Sequence, residues 1–270
     1  MRKRKTSFNL VIGGLLVGFF FLMLIVSFFY TPFAVNEMHT TERFLPPGKP
    51  YLLGTDNFGR DIFSRIMKGT QTAFLVGAIS VLIGLVIGVC LGALSGYFGG
   101  WFDRIIAQLN ATIQAFPGVL LALMIVAVFG PGTINTIVAL SITAIPGFTR
   151  ITRSGFLQFK EYSFVEAAET IGLGPLSIMI RHILPQIVPA LLVAASTGFS
   201  SALLAEAGLS YLGLGVQPPE PSWGRMLNEA QGYLLRAPWF SLAPGCVILL
   251  AVLGFNLLSD GIRDLLDPNL

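Results

Sequence analysis

The sequence predicts an all-α polytopic membrane protein of about six transmembrane helices, and three observations lead there. Hydrophobic residues make up 54% of the 270 positions and charged residues only 11%, against about a quarter charged in an ordinary soluble domain. The charged residues are separated by uncharged runs, each long enough for the ~20 apolar residues that a span requires. Finally, Arg2, Lys3, Arg4 and Lys5 stand directly before the first run, the basic flank expected on the cytoplasmic side of a first span.

Taken in order, Lys5 and Glu37 enclose 31 uncharged positions. That run exceeds the roughly 7 to 15 residues of a cleaved leader's apolar core, so residues 1–30 are read as a basic start and a retained first span. Residues 31–70 form an outer loop rich in Pro and Gly that ends in LLGTDNFGRDIFSRIMKG. There Asp61, Arg65 and Lys68 share one helical face and Ile62, Phe63 and Ile66 another, the pattern of a short amphipathic helix lying at the membrane surface. Residues 71–270 hold the remaining five spans as a core domain. Lys68 to Asp103 encloses 34 uncharged positions and Arg104 to Arg150 encloses 45, enough for two spans turned at Gly130-Pro131-Gly132. Arg181 to Glu206 and Arg236 to Asp260 enclose 24 and 23. A tight turn, GYFGGWFDR, joins the second and third spans. Cys90 and Cys246 fall inside apolar runs, with neither a disulfide framework nor zinc-ligand spacing, and are read as packing residues.

With the amino terminus inside, ten of the 17 Lys and Arg residues face the cytoplasm: the opening four, Arg104, Arg150, Arg153, Lys160, Arg181 and Arg263. Both termini are therefore expected in the cytoplasm. The long inner loop, from Arg150 to about Pro185, is the most informative stretch. Ser163 and Glu166 stand as S-x-x-E, the pattern of a capping box that starts a helix. Gly172 is placed to end that helix in the left-handed conformation, and Gly174-Pro175 restarts the chain with Pro at a first helical position. Two short helices at an angle are expected. Lys160, Glu161, Glu166, Glu169, Arg181 and His182 keep this hairpin out of hydrocarbon, while its Ile and Leu content calls for packing on the spans or on a partner.

In this loop EAAETIGLGPLSIMIRHILP resembles the EAA signature of binding-protein-dependent ABC importer permeases: E-A-A, three residues, Gly, nine residues, then I-x-L-P. Glu166, Ala167, Ala168, Gly172, Leu184 and Pro185 match at the right spacing, and His182 replaces the Ile. The resemblance covers most of the chain. LLGTDNFGRDIFSR, LSGYFGG, AFPGVLLAL, FGPG, EAGLSYLGLGVQPPEPSWGRML, APW and FNLLSDGIRDLLDP are similar to landmarks of the dipeptide, oligopeptide and nickel subfamily, in particular the second permease of each pair. The resemblance implies the type I ABC importer permease fold, with a cytoplasmic coupling-helix hairpin, the EAA loop at 155–185, docked in a cleft of an ATPase. It also implies a homologous permease as heterodimer partner, two ATPase subunits, an extracytoplasmic solute-binding protein and a bacterial cytoplasmic membrane. The chain itself then binds no cofactor, and ATP and Mg are used by the partner ATPases. Pro218, Pro219, Glu220 and Trp223 are expected in an ordered loop at the outer mouth, where the backbone-restricting prolines serve either a face near the docking site of the binding protein or simply a rigid connector.

Other classes fit less well. No G-x-x-x-x-G-K-[ST] loop occurs, so P-loop binding of ATP is excluded for this chain. An ion-coupled secondary transporter is the alternative of a different class, but such proteins keep ionisable residues within their spans, and none is read at a span centre here. An intramembrane enzyme lacks HExxH and G-x-S-x-G, and only His39 and His182 are present. Nucleic-acid binding lacks a clustered basic face. Di- or oligopeptides are the expected cargo, with nickel or a metal chelate as alternative.

Overall fold

A computed structural model describes residues 8–266. Among these the regular elements are helices, in the order α1 (Phe8–Phe29), α2 (Ile62–Phe98), α3 (Gly100–Gln114), α4 (Gly118–Phe129), α5 (Thr133–Phe159), α6 (Ser163–Thr170), α7 (Pro175–Ile178), α8 (Leu184–Tyr211), α9 (Trp223–Ala230) and α10 (Pro238–Leu266), with loops at 30–61 and 212–222. The basic residues 2–5, on which the orientation rests, lie outside the described residues.

Five segments are long and apolar enough to cross a membrane: α1, α2, α5, the run Pro175–Tyr211 and α10. The sixth expected span is broken. α3 and α4 meet at 86°, with Pro117 immediately before α4. Proline lacks the amide proton a continuing helix needs, and its ring displaces the preceding turn. The 45-residue uncharged run thus holds one bent pair and one straight span.

The expected amphipathic surface helix is also not a separate element. Its residues are the first turns of α2, a helix of 37 residues, about 55 Å long at 1.5 Å per residue. The Asp61 side chain caps α2 by accepting from the Ser64 amide at 2.8 Å. Arg65, expected on a wet face, is 1% exposed, for a reason described below.

The centre of the fold is the α2/α5 contact. Gly84, Gly88, Gly92 and Gly96 recur every fourth residue and so form one stripe of α2. A Cβ at Gly84 would lie 2.7 Å from the Ala144 Cβ, at Gly88 2.6 Å from the Phe148 Cβ, at Gly92 2.5 Å from the Thr149 carbonyl oxygen, and at Gly96 2.6 Å from the Phe156 Cβ. Four missing side chains let two backbones touch, which is how helices gain packing energy where lipid offers no hydrophobic drive. α8 and α10 are joined differently, by hydroxyl bonds: Ser200 donates to the Asn256 Oδ1 at 2.8 Å, Thr197 and Ser259 share a bond of 2.8 Å, and Ser259 donates to the Val193 carbonyl. α1 lies against α10, where Gly254 faces Leu16 and Gly261 faces Leu10.

Cys90 and Cys246, read as packing residues, are exposed on α2 and α10.

The glycine stripe generates a test. Gly92→Leu forces α2 and α5 apart and should cost about 1–3 kcal/mol, the usual range for overpacking. Gly18→Leu, on α1 with open space around it, should be neutral. Thermal unfolding of the purified protein in detergent, followed by loss of the monodisperse chromatographic peak, checks this; equal melting of the two variants would remove the stripe's role.

Candidate functional site

At one end of the bundle the chain leaves α5, forms α6 and returns as α7 and α8. α5 does not stop near Arg150 but continues to Phe159, so Arg150 and Arg153 belong to a helix and the expected long loop shrinks to two short turns. Two contacts extend the helix. Phe156 is 1% exposed, packed on Gly96, and Arg153 grips Asp103 of α3 in a two-pronged ion pair, Nε to Oδ1 at 2.5 Å and Nη2 to Oδ2 at 2.7 Å. Ser95 of α2 donates to the same carboxylate.

The expected capping box is not formed. Ser163 is already the first helical residue of α6, and Tyr162 precedes it without a side-chain cap. The Tyr162 carbonyl accepts from the Val165 and Glu166 amides, and its ring stands edge-on between Phe159 and Phe164, with centroids 5.3 and 5.8 Å away. Aromatic packing around Tyr162, without a side-chain cap, marks the start of α6.

The end of α6 follows the sequence expectation. Gly172 has φ +82°, a conformation that costs glycine nothing and strains other residues. Its amide donates to the Glu169 carbonyl at 2.9 Å, and the Leu173 amide donates to the Ala168 carbonyl at 3.1 Å, the paired bonds of a Schellman ending. Pro175 then opens α7, but α7 is no second hairpin arm. It runs through a π turn, Met179–Ile183, straight into α8. Pro185 explains the turn, since it removes the amide that would bond the Arg181 carbonyl and crowds the turn before it, and a widened turn absorbs the mismatch.

The six signature residues therefore divide by burial. Val165 and Ala168 fasten α6 to Ile178, Met179 and Ile183 of the returning chain, and Leu184 is partly buried on the same cluster. Glu166, Ala167, Gly172 and Pro185 are exposed, as are the apolar side chains of Ile171 (76%) and Leu176 (68%).

At the opposite end, Pro218, Pro219 and Glu220 are exposed as expected, but Trp223 is not. It is 1% exposed, with its Nε1–H donating to the Ile66 carbonyl at 3.1 Å and its ring beside Phe20 and over Gly69. The Ser222 side chain caps α9 there by accepting from the Arg225 amide, which aims Trp223 inward against α2. Trp223 is an anchor, not a lip of the mouth.

Around that anchor lies a buried charge cluster that sequence reading missed. Arg60 donates to Asp56 at 2.5 Å and to Glu229 at 2.8 Å; Arg65 donates to Glu229 at 3.3 Å and faces Asp56 at 3.7 Å; Arg225 reaches Glu229 at 3.4 Å. It pins the loop before α2 to α9, and it explains why Arg65 is hidden. No local pattern signals it, because Arg60 and Glu229 are 169 residues apart in the chain. In the same loop before α2 the Tyr51 hydroxyl donates to Glu42 at 2.5 Å, and that bond together with burial pushes its phenol up to about 12.

Comparison with known proteins gives this architecture its family. The model of the family described as "Binding-protein-dependent transport system inner membrane component" matches residues 88–270. The chain is 44% identical over all 270 residues to the glutathione transport system permease protein GsiD of Salmonella typhimurium (strain LT2), covering 89% of that protein. It is 43% identical over 258 residues to the protein of the same name from Pectobacterium atrosepticum, 94% of this chain and 86% of that one. Among solved structures, the inward-facing MetNI methionine ABC transporter aligns with TM-score 0.60 at 19% identity, covering 73% of this chain and 94% of that one. An amino acid ABC transporter aligns with TM-score 0.52 at 20% identity, covering 71% and 89%. Neither a secondary transporter nor a metal-chelate permease is supported by these likenesses. A bundle of apolar helices, with one bent pair among them and the short helix α6 at one end, has the type I ABC importer permease fold, and the chain belongs to the inner membrane components of binding-protein-dependent transport systems as a permease subunit.

Proposed function

We propose that this chain forms half of the translocation path of an ATP-driven importer of small peptides, with α6 as the helix that couples it to an ATPase and with both termini in the cytoplasm. The single observation that carries the coupling role is the two-sided character of α6. Val165 and Ala168 hold it to the bundle, while Glu166, Ala167 and Ile171 face outward. Exposed apolar groups beside charge, on a segment too polar for lipid, form a surface suited to a protein partner. Glu166 to Gly172 is the docked segment, Gly172 fixes its end, and Leu184 and Pro185 set where the return to α8 begins.

The partners of this reading are a homologous permease in a heterodimer, two ATPase subunits that bind ATP and Mg, and an extracytoplasmic binding protein that selects cargo. Peptide cargo is supported by relatives at 43–44% identity that are named for glutathione transport. The exposed Pro218, Pro219 and Glu220, held in place by the buried Trp223 beneath them, provide the outer face toward the binding protein.

Two tests follow. In the assembled complex, Gly172→Val meets a left-handed position that a β-branched residue avoids, and it should lower cargo-stimulated ATP hydrolysis and uptake about tenfold, on the scale of typical coupling energies. Glu166→Ala should have a smaller effect of the same sign. Co-purification of the ATPase subunits and stimulated hydrolysis measure both, and two variants indistinguishable from the unmodified complex would leave α6 a mere structural hairpin. Orientation is checked by single cysteines after Cys90 and Cys246 are replaced. Glu220→Cys should react with an impermeant maleimide in intact cells, and Glu169→Cys only after lysis; the reverse pattern inverts the topology.

A further inference from the structure

A cavity of about 790 Å³ lies between α5 and α8 at the end of the bundle that carries α6, with Arg263 of α10 on its edge. Arg150, Ser154 and Gln158 of α5 follow each other at four-residue spacing, hence along one helical face, and Gln186 and Ala190 of α8 stand opposite. All five are exposed. The exposed faces of other spans are different: Phe19, Leu22 and Ile25 on α1, and Leu82, Val86 and Leu94 on α2, are apolar throughout. Polar and ionisable groups within a span turn toward water-filled space. The α5/α8 groove is therefore polar where the exposed faces of α1 and α2 are apolar. It also continues: a second cavity, about 250 Å³, lies further along the same two helices, lined by Thr143 and Ser201 among others.

The charge in this groove is uncommitted. α5 carries two arginines three residues apart, and Arg153 is consumed by Asp103. Among the described residues Arg150 has no carboxylate within 4.0 Å, so its guanidinium adds a fixed positive charge to the wall of the cavity. A guanidinium never deprotonates in a protein, and its planar donors match a carboxylate in two-pronged fashion. A cavity of this size accommodates a small ligand.

We propose that Arg150 engages a carboxylate of the cargo in the α5/α8 groove, making the path selective for small peptides whose carboxylates outnumber their ammonium groups. This rests on the importer reading above and assigns that path its charge preference.

The test reads the groove directly. In the full complex, reconstituted in phosphatidylcholine nanodiscs with Cys90 and Cys246 replaced, Ser154→Cys is modified by a negatively charged and a positively charged methanethiosulfonate of similar size. The negative reagent should react about tenfold faster, as a positively charged wall implies, and Arg150→Gln in the same background should cut that preference severalfold, with Arg263 on the edge supplying what remains. S-methylglutathione, which has two carboxylates, one ammonium and no thiol, delivered by the loaded binding protein, should slow the modification. Uptake of that peptide into sealed phosphatidylcholine proteoliposomes holding the same complex should fall about tenfold in Arg150→Gln and recover in part in Arg150→Lys. An unreactive cysteine, equal rates for the two reagents, or unchanged uptake in Arg150→Gln each overturns the proposal. So does protection that appears with phosphatidylglycerol in the nanodisc and not with peptide, which would make the groove a lipid headgroup site. If the unmodified complex imports no peptide at all, the importer reading fails instead, and the reagent preference still reports the groove's charge.

Discussion

The close approach of α2 and α5 is the constraint on which the rest of the structure depends. Backbone against backbone along the Gly84 to Gly96 stripe leaves no freedom to rotate either helix. Thr149, Thr152 and Phe156 must face α2, and each further residue turns by about 100°. That rotation delivers Arg153 to Asp103 and sends Arg150, Ser154 and Gln158 to the other side. The ion pair and the polar groove are thus two results of one helix orientation. The same orientation fixes the direction in which α5 ends, and so the place where α6 is presented.

Much of this was legible in the sequence because it is local. The uncharged runs marked the spans, since exclusion of charge from hydrocarbon acts residue by residue. Gly172 was legible as a helix terminus because its left-handed conformation and the two bonds it closes involve only its neighbours. Pro175 was legible for the same reason. The capping box failed on equally local grounds: S-x-x-E was present, but Tyr162 between Phe159 and Phe164 fixed the start of α6 one residue earlier.

What escaped notice depends on distant parts of the chain. Arg65 has the spacing of a surface residue and is buried because Glu229 and Asp56 converge on it. Trp223 sits after a proline-rich outer loop and looks like part of it, yet Ile66 supplies a carbonyl that draws it inward. The break at Pro117 was hidden inside an uncharged run that composition alone divides into two straight spans. The glycine stripe did leave a trace, four glycines at intervals of four, but it acquires meaning only once α5 is known to be opposite.

The two ends of the bundle are fastened by charges of unequal privacy. The cluster of Asp56, Arg60 and Arg65 is sealed from water, with side chains of Asp56 0% and Arg65 2% exposed. The Asp103–Arg153 pair is open to it, at 24% and 38%. Dissolved ions screen exposed charges within about 8–10 Å at physiological strength and reach buried ones far less. Ionic strength therefore acts on one fastening and not the other. Concentrated salt loosens the joint between α3 and α5, beside α6, while the clamp of the loop before α2 on α9 keeps its grip.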